Sequence, residues 1–125
     1  MSQFSPGPIR QIALTVRDLA RATAFYRDTL GLPLLFQFPG LAFFNVHGIR
    51  LMLSPGEGEP RDPHGTVLYF QADELKGAFA TLRDRGVKVH REPHLIAKMP
   101  DHELWMAFFE DTEGNMFALM SESRP

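Results

Sequence analysis

The sequence contains no cysteine, which excludes disulfide staples, thiolate nucleophiles and Cys-ligated zinc or iron–sulfur centres together. A surplus of charge of one sign is also lacking. Against 13 Lys and Arg stand 15 Asp and Glu, a formal net charge of −2, too small to gather nucleic acid or anionic lipid. No run of about 18 uninterrupted apolar residues occurs, and Met1–Pro8 lacks the basic and then apolar pattern of a secretory leader. The expectation is a soluble, cytoplasmic protein with neither nucleic-acid nor membrane partners. Tryptophan is reduced to Trp105 alone, whereas phenylalanine reaches 11 and methionine 6, so the interior is aromatic and adaptable. Such an interior either simply fills a core or also accepts an apolar ligand. With 125 residues, 44% of them hydrophobic, the chain is the size of one compact domain.

Ile12, Leu14 and Val16 alternate with Gln11, Ala13 and Thr15, the period of a strand over residues 9–16. Asp18 is placed to cap a helix carrying Leu19, Ala22, Phe25 and Tyr26, which Gly31 stops and Pro33 prevents from resuming. Leu34–Phe38, Leu41–Val46 and Ile49–Leu53 are short β-type runs separated by Pro39-Gly40 and His47-Gly48. Residues 55–65 turn to Gly, Pro, Glu, Arg and Asp without apolar periodicity and read as a linker. The order then repeats. A strand over 66–72 precedes a helix with Leu75, Ala78, Phe79 and Leu82 on one side, ended by Gly86. Strands follow at Val87–Arg91, Trp105–Glu110 and Asn115–Met120, the last two joined by a tight turn at Asp111–Gly114.

A shift of 56 positions carries Leu19, Ala22 and Ala24 onto Leu75, Ala78 and Ala80, and Arg27-Asp28 onto Arg83-Asp84. Shifts of 65 or 66 carry Phe43-Phe44 onto Phe108-Phe109 and Gly48 onto Gly114. The chain is therefore read as an α+β protein built from tandem β-α-β-β-β modules, about residues 8–54 and 66–121. Each sheet has one apolar face to cover, and edge-to-edge pairing of the modules would give a curved, eight-stranded mixed sheet with a concave side suited to a small-molecule pocket.

Ile12-Ala13-Leu14-Thr15-Val16-Arg17-Asp18-Leu19, Ala24-Phe25-Tyr26-Arg27-Asp28-Thr29-Leu30-Gly31-Leu32 and Phe108-Phe109-Glu110-Asp111-Thr112-Glu113-Gly114-Asn115 resemble the vicinal oxygen chelate superfamily. That superfamily includes glyoxalase I, extradiol dioxygenases, methylmalonyl-CoA epimerase and bleomycin-resistance proteins, and the likeness spans nearly the whole chain. It implies the fold and leaves the reaction open. It also implies a homodimer, since family pockets are often completed across two chains. In metal-using members four ligands come from the first and last strands of both modules. The internal repeat puts those positions at Gln11, Met52, Val67 and Ala118. A thioether and two aliphatic side chains give a hard divalent ion nothing to bind, so no metal and no cofactor are expected. Glyoxalase, dioxygenase and epimerase chemistry lose their electrophile with it.

By alternation, Tyr69 and Gln71 share a face with Val67, and Arg50 shares one with Met52. Arg50 either offers a cationic fork to a ligand or projects into water at the sheet rim. Trp105, Ala107 and Phe109 point one way, Met106 and Phe108 the other, so either Trp105 or the Met106/Phe108 pair meets a ligand. His90 and His94 lie at helical ligand spacing, but Pro93 and a strand-like context separate them. His94 and His102 flank residues 95–101, read as a connection able to fold over a pocket mouth. With Glu103, Glu110 and Tyr69 they are the candidates for a relocated metal or an acid–base site. No nucleophile elbow or phosphate loop is present, and Gly56-Glu57-Gly58-Glu59 lacks the strand–helix context of one. The leading expectation is a metal-independent small-molecule binder with an apolar, aromatic pocket, of the bleomycin-resistance kind. The alternatives are a lyase, isomerase or dioxygenase using relocated groups, and a ligand-free dimeric scaffold.

Overall fold

The structure is a computed structural model that describes residues 4–5, 8–55 and 66–123, so most of the expected linker lies outside the described residues. The first module runs β1 (Gln11–Thr15), α1 (Leu19–Ala24), β2 (Leu34–Phe38), β3 (Leu41–Val46) and β4 (Ile49–Ser54). The second runs β5 (Leu68–Gln71), α2 (Leu75–Asp84), β6 (Lys88–Lys98), β7 (Glu103–Glu110) and β8 (Met116–Ser123). Each module forms a mixed four-stranded sheet, in the orders β1-β4-β3-β2 and β5-β8-β7-β6. In both, the first strand runs parallel to the last, so the helix returns across one face and leaves the other bare. This is the α+β tandem-module fold read from the sequence. Among the described residues the eight strands stay divided into those sheets, with β1 and β5 each an edge strand of its own sheet.

Local chemistry explains the elements. The Asp18 carboxylate accepts from the Arg21 backbone N–H at 3.0 Å and caps α1. Beyond Ala24 the helix widens into a π-helical turn over Phe25–Thr29, closed by Leu30 N–H to the Phe25 carbonyl at 3.0 Å. The turn carries Phe25 and Tyr26, both buried. His47 and Gly48 take positive φ, 49° and 94°, the geometry of a two-residue hairpin that matches strand twist.

The strand over residues 92–98 corrects the sequence reading, which made most of that stretch a connection. Residues 88–98 form one long edge strand, β6, paired to β7 through shifts in register on either side of Pro93. An edge strand tolerates proline at such an irregularity, because the missing N–H would have faced away from the ladder. His94 is therefore strand, and the chain reverses at residues 99–102, where Met99 N–H donates to the His102 carbonyl at 2.8 Å. The segment is the tip of a hairpin.

A single core joins the modules, running from Leu14, Phe44 and Leu53 through Phe25 and Tyr26 to Phe79, Phe109 and Phe117. The polar counterpart is the β7–β8 turn, which reaches across to the first module. Its Glu113 carboxylate is fully buried and accepts from the backbone N–H groups of Arg17 (2.8 Å) and Asp18 (2.7 Å) and from Arg21 Nε (2.7 Å). Burial alone would raise its pKa, but the Arg21 guanidinium and these N–H donors outweigh that and hold it at about 2, against an ordinary 4.5. Asp111 accepts from the Tyr26 hydroxyl at 2.7 Å and from the backbone N–H groups of Glu113 and Asn115 at 2.8 Å each. Burial and the Asp111 charge push the Tyr26 hydroxyl far above its ordinary pKa, so it stays a donor. Asn115 Nδ2 closes the join on the Thr15 carbonyl at 3.1 Å.

Because the Glu113 pKa is depressed on folding, its contribution is complete above pH 4.5 and is lost as pH falls towards about 2. On the order of 3 kcal/mol should disappear across that interval. Urea melts at stepped pH should show this acid loss in the natural protein and a much flatter profile in Glu113→Gln, which starts less stable at pH 7. Tyr26→Phe, which removes one buried hydrogen bond to a charged group, should cost about 1–3 kcal/mol at neutral pH by the same melts.

Candidate functional site

The bare faces of the two sheets carry the predicted ligand-binding residues other than Trp105, gathered into separate patches. On the first sheet Gln11 pairs with Arg50 and Ala13 with Met52, and Met52 faces Phe43 on β3. Arg50 Nε donates to the Gln11 side-chain carbonyl at 2.8 Å, and its guanidinium lies 5.8 Å from the centroid of the Phe43 ring. Arg50 thus sits exposed on the sheet, spread over an aromatic face with its fork partly used. Phe36 and Phe38 on β2 continue the surface, with ring centroids 4.8 and 6.4 Å from Phe43. These three phenylalanines were not among the predicted site residues. The repeat that carries Phe43 onto Phe108 is the signal that would have found the first of them.

On the second sheet Tyr69 and Phe108 flank Ala118 from β5 and β7, directly opposite it in register on either side. Their rings meet edge to face at 6.4 Å, and Ala118 between them is wholly buried although it belongs to the bare face. His94 stands on the far side of Phe108, its ring centroid 6.1 Å away, beside Met106. Val67 lies immediately ahead of β5, in step with Tyr69, and Gln71 continues that row with its amide donating to Asp73 at 2.8 Å. The patch is an aromatic wall, Tyr69–Phe108–His94, floored by an alanine.

Of the two sets left open on β7, Trp105 belongs to the one away from the bare face. It points to the helix side of β7 with Ala107 and Phe109, where Phe109 packs against Phe79 of α2 at 5.7 Å. Both faces of β7 are apolar, so alternation partitions its residues without saying which set faces the helix. The acid–base candidates are likewise dispersed. His94 Nδ1 meets the Glu92 carbonyl at 2.8 Å, His102 Nδ1 meets Asp101 at 2.7 Å, and Glu103 accepts from the Trp105 indole N–H at 3.2 Å. Glu110 contacts His90 at 2.7 Å and Lys88 at 3.3 Å, and these partners hold its carboxyl below the usual range. The structure brings none of these four candidates against another.

With fold and faces established, the family is plain: the chain belongs to the glyoxalase/bleomycin resistance protein/dioxygenase superfamily, which matches residues 9–119. A glyoxylase-like domain-containing protein of Didymella fabae is 27% identical over 123 residues, covering 90% of this chain and 92% of its own. Among solved structures, TnmS3, an antibiotic binding protein from Streptomyces sp. CB03234, superposes with TM-score 0.75 at 25% identity, over 97% of this chain and 100% of that one. A lactoylglutathione lyase from Agrobacterium tumefaciens gives TM-score 0.74 at 25% identity, over 94% and 95% of the two chains.

The resemblance implies a divalent metal in the metal-using members, and the residues at the corresponding positions can be tested for fit. Gln11 offers an amide oxygen already accepting from Arg50, Met52 a thioether, Val67 nothing, and Ala118 nothing, beneath two rings. That set does not fit a hard divalent ion. The closure over Ala118 has a measurable consequence. Ala118→Leu must force Tyr69 and Phe108 apart and should cost about 1–3 kcal/mol in a urea melt. The same change at exposed Ala13 on the other sheet should stay within about 0.5 kcal/mol.

Proposed function

We propose that the protein is a metal-independent binder of flat, apolar or aromatic small molecules. The observation that carries the reading is the Tyr69–Phe108 pair closed over Ala118, where a ligand-holding side chain is replaced by a stacking surface. Offset and edge-to-face contacts with such rings favour a planar partner, and Met52, Met106 and Met120 on the same bare faces add deformable volume. The likeness to an antibiotic binding protein, over 97% of this chain and 100% of that one, supports a binding role. The bare faces are open in one chain, with Tyr69 51% and Phe38 56% exposed, so a second copy is the proposed cover that turns each face into a pocket wall.

Equilibrium dialysis with 2-naphthol tests the reading. Saturable binding should survive EDTA unchanged and fall about tenfold in Phe108→Ala, the loss expected of one aromatic contact of about 1.4 kcal/mol. Light scattering of the same sample should give a dimer. Binding abolished by EDTA, or glutathione-hemithioacetal isomerisation on adding divalent metal, would instead favour the lyase likeness.

A further inference from the structure

On the helix side of the second sheet, away from the faces above, a groove of about 340 Å³ lies between the start of α2 and strands β6, β7 and β8. Its floor holds Trp105 and, directly opposite it in register on β8, Ser121. Ser121 is only 7% exposed, and among the described residues its hydroxyl has no hydrogen-bond partner although the residue lines the groove. Its oxygen is not closed off from the groove, so a donor that enters can bond to it. The rim supplies the charge. Asp73, Glu74 and Glu103 line the groove against a single cation, Lys76. Glu103 is held over the floor by the Trp105 indole N–H, which donates to one carboxylate oxygen at 3.2 Å and leaves the other free of that bond.

These features suit one chemistry. An aromatic ring attracts a cation to its face, a carboxylate pairs with it, and a serine oxygen accepts from an ammonium N–H. The opening amides of α2 and the Lys76 ammonium oppose a cation, but three carboxylates outnumber them and two of these stand at the helix start itself. We infer that this groove is a second binding site, selective for a primary organic ammonium group, with Trp105 and Glu103 holding the cation and Ser121 accepting one of its protons. The inference is independent of the aromatic-face reading, because Trp105 and Phe108 point to opposite sides of β7.

Trp105 is the only tryptophan, so intrinsic fluorescence reports this groove directly. Titration with benzylammonium chloride at constant ionic strength should quench or shift the emission saturably, whereas benzyl alcohol, similar in shape and uncharged, should do so at least about tenfold more weakly. Glu103→Gln should weaken benzylammonium binding about tenfold and Ser121→Ala less, with unaltered thermal melts showing that both variants fold. Equal responses to the alcohol, a stronger response to benzoate, or affinities unchanged in both folded variants would each overturn the site, as would the absence of any saturable change. Naphthol binding to the other face should be the same in both variants, which separates failure here from failure there.

Discussion

The buried Glu113 carboxylate is the interaction on which the arrangement depends. Each module has only one helix to cover one sheet face, and neither sheet hydrogen-bonds to the other among the described residues. What fixes their relation is a turn of the second module whose acidic groups are satisfied by donors of the first, Arg17, Asp18 and Arg21 at Glu113 and Tyr26 at Asp111, and whose Asn115 amide donates to the Thr15 carbonyl. A buried carboxylate without these donors would be strongly destabilising, so the modules are held at the one geometry that supplies all of them. Apolar packing alone, as in the Phe25–Phe117 contact at 6.1 Å, tolerates sliding. The polar join does not.

That join lies on the helix side, and this determines where the molecule can act. Adhesion between the modules consumes the faces bearing Phe44, Leu53, Phe109 and Phe117 and leaves the opposite faces uncovered, with their aromatic rows intact. The strand β7 shows how closely surfaces of different chemistry are set. Successive residues place Trp105 toward a carboxylate-rimmed groove, Met106 toward the bare face, Ala107 into the core and Phe108 into an aromatic wall. Strand alternation makes this possible, since neighbours about 3.3 Å apart along the chain look in opposite directions.

Much of this architecture is legible in the sequence because it rests on short-range chemistry. Leu34–Phe38 and Leu41–Val46 are strands with the boundaries read from their β-branched and aromatic runs, and the His47-Gly48 and Asp111–Gly114 turns follow from local backbone preference. The internal repeat located the positions on the bare faces. What escaped depends on residues remote in sequence or on tertiary context. Glu113 reads as a turn residue, since its partners lie 92 to 96 positions away. Pro93 reads as a strand breaker until β6 is known to be an edge, and only Phe79 against Phe109 decides which face of β7 the helix covers.

The Ala118 position shows what a ligating side chain at that point of the sheet would meet. In register it lies between Tyr69 and Phe108, and the edge-to-face contact of their rings occupies the space a longer side chain would need. A carboxylate introduced there would have to displace one ring and sit beside the other, and its neighbours in register, Tyr69 and Phe108, leave it at most the Tyr69 hydroxyl as a donor. A full set of hard-ion ligands at Gln11, Met52, Val67 and Ala118 would therefore require changes on both sheets together with removal of the aromatic pair. The present surface is self-consistent as a stacking surface, because filling one position with a small residue is what lets its neighbours close.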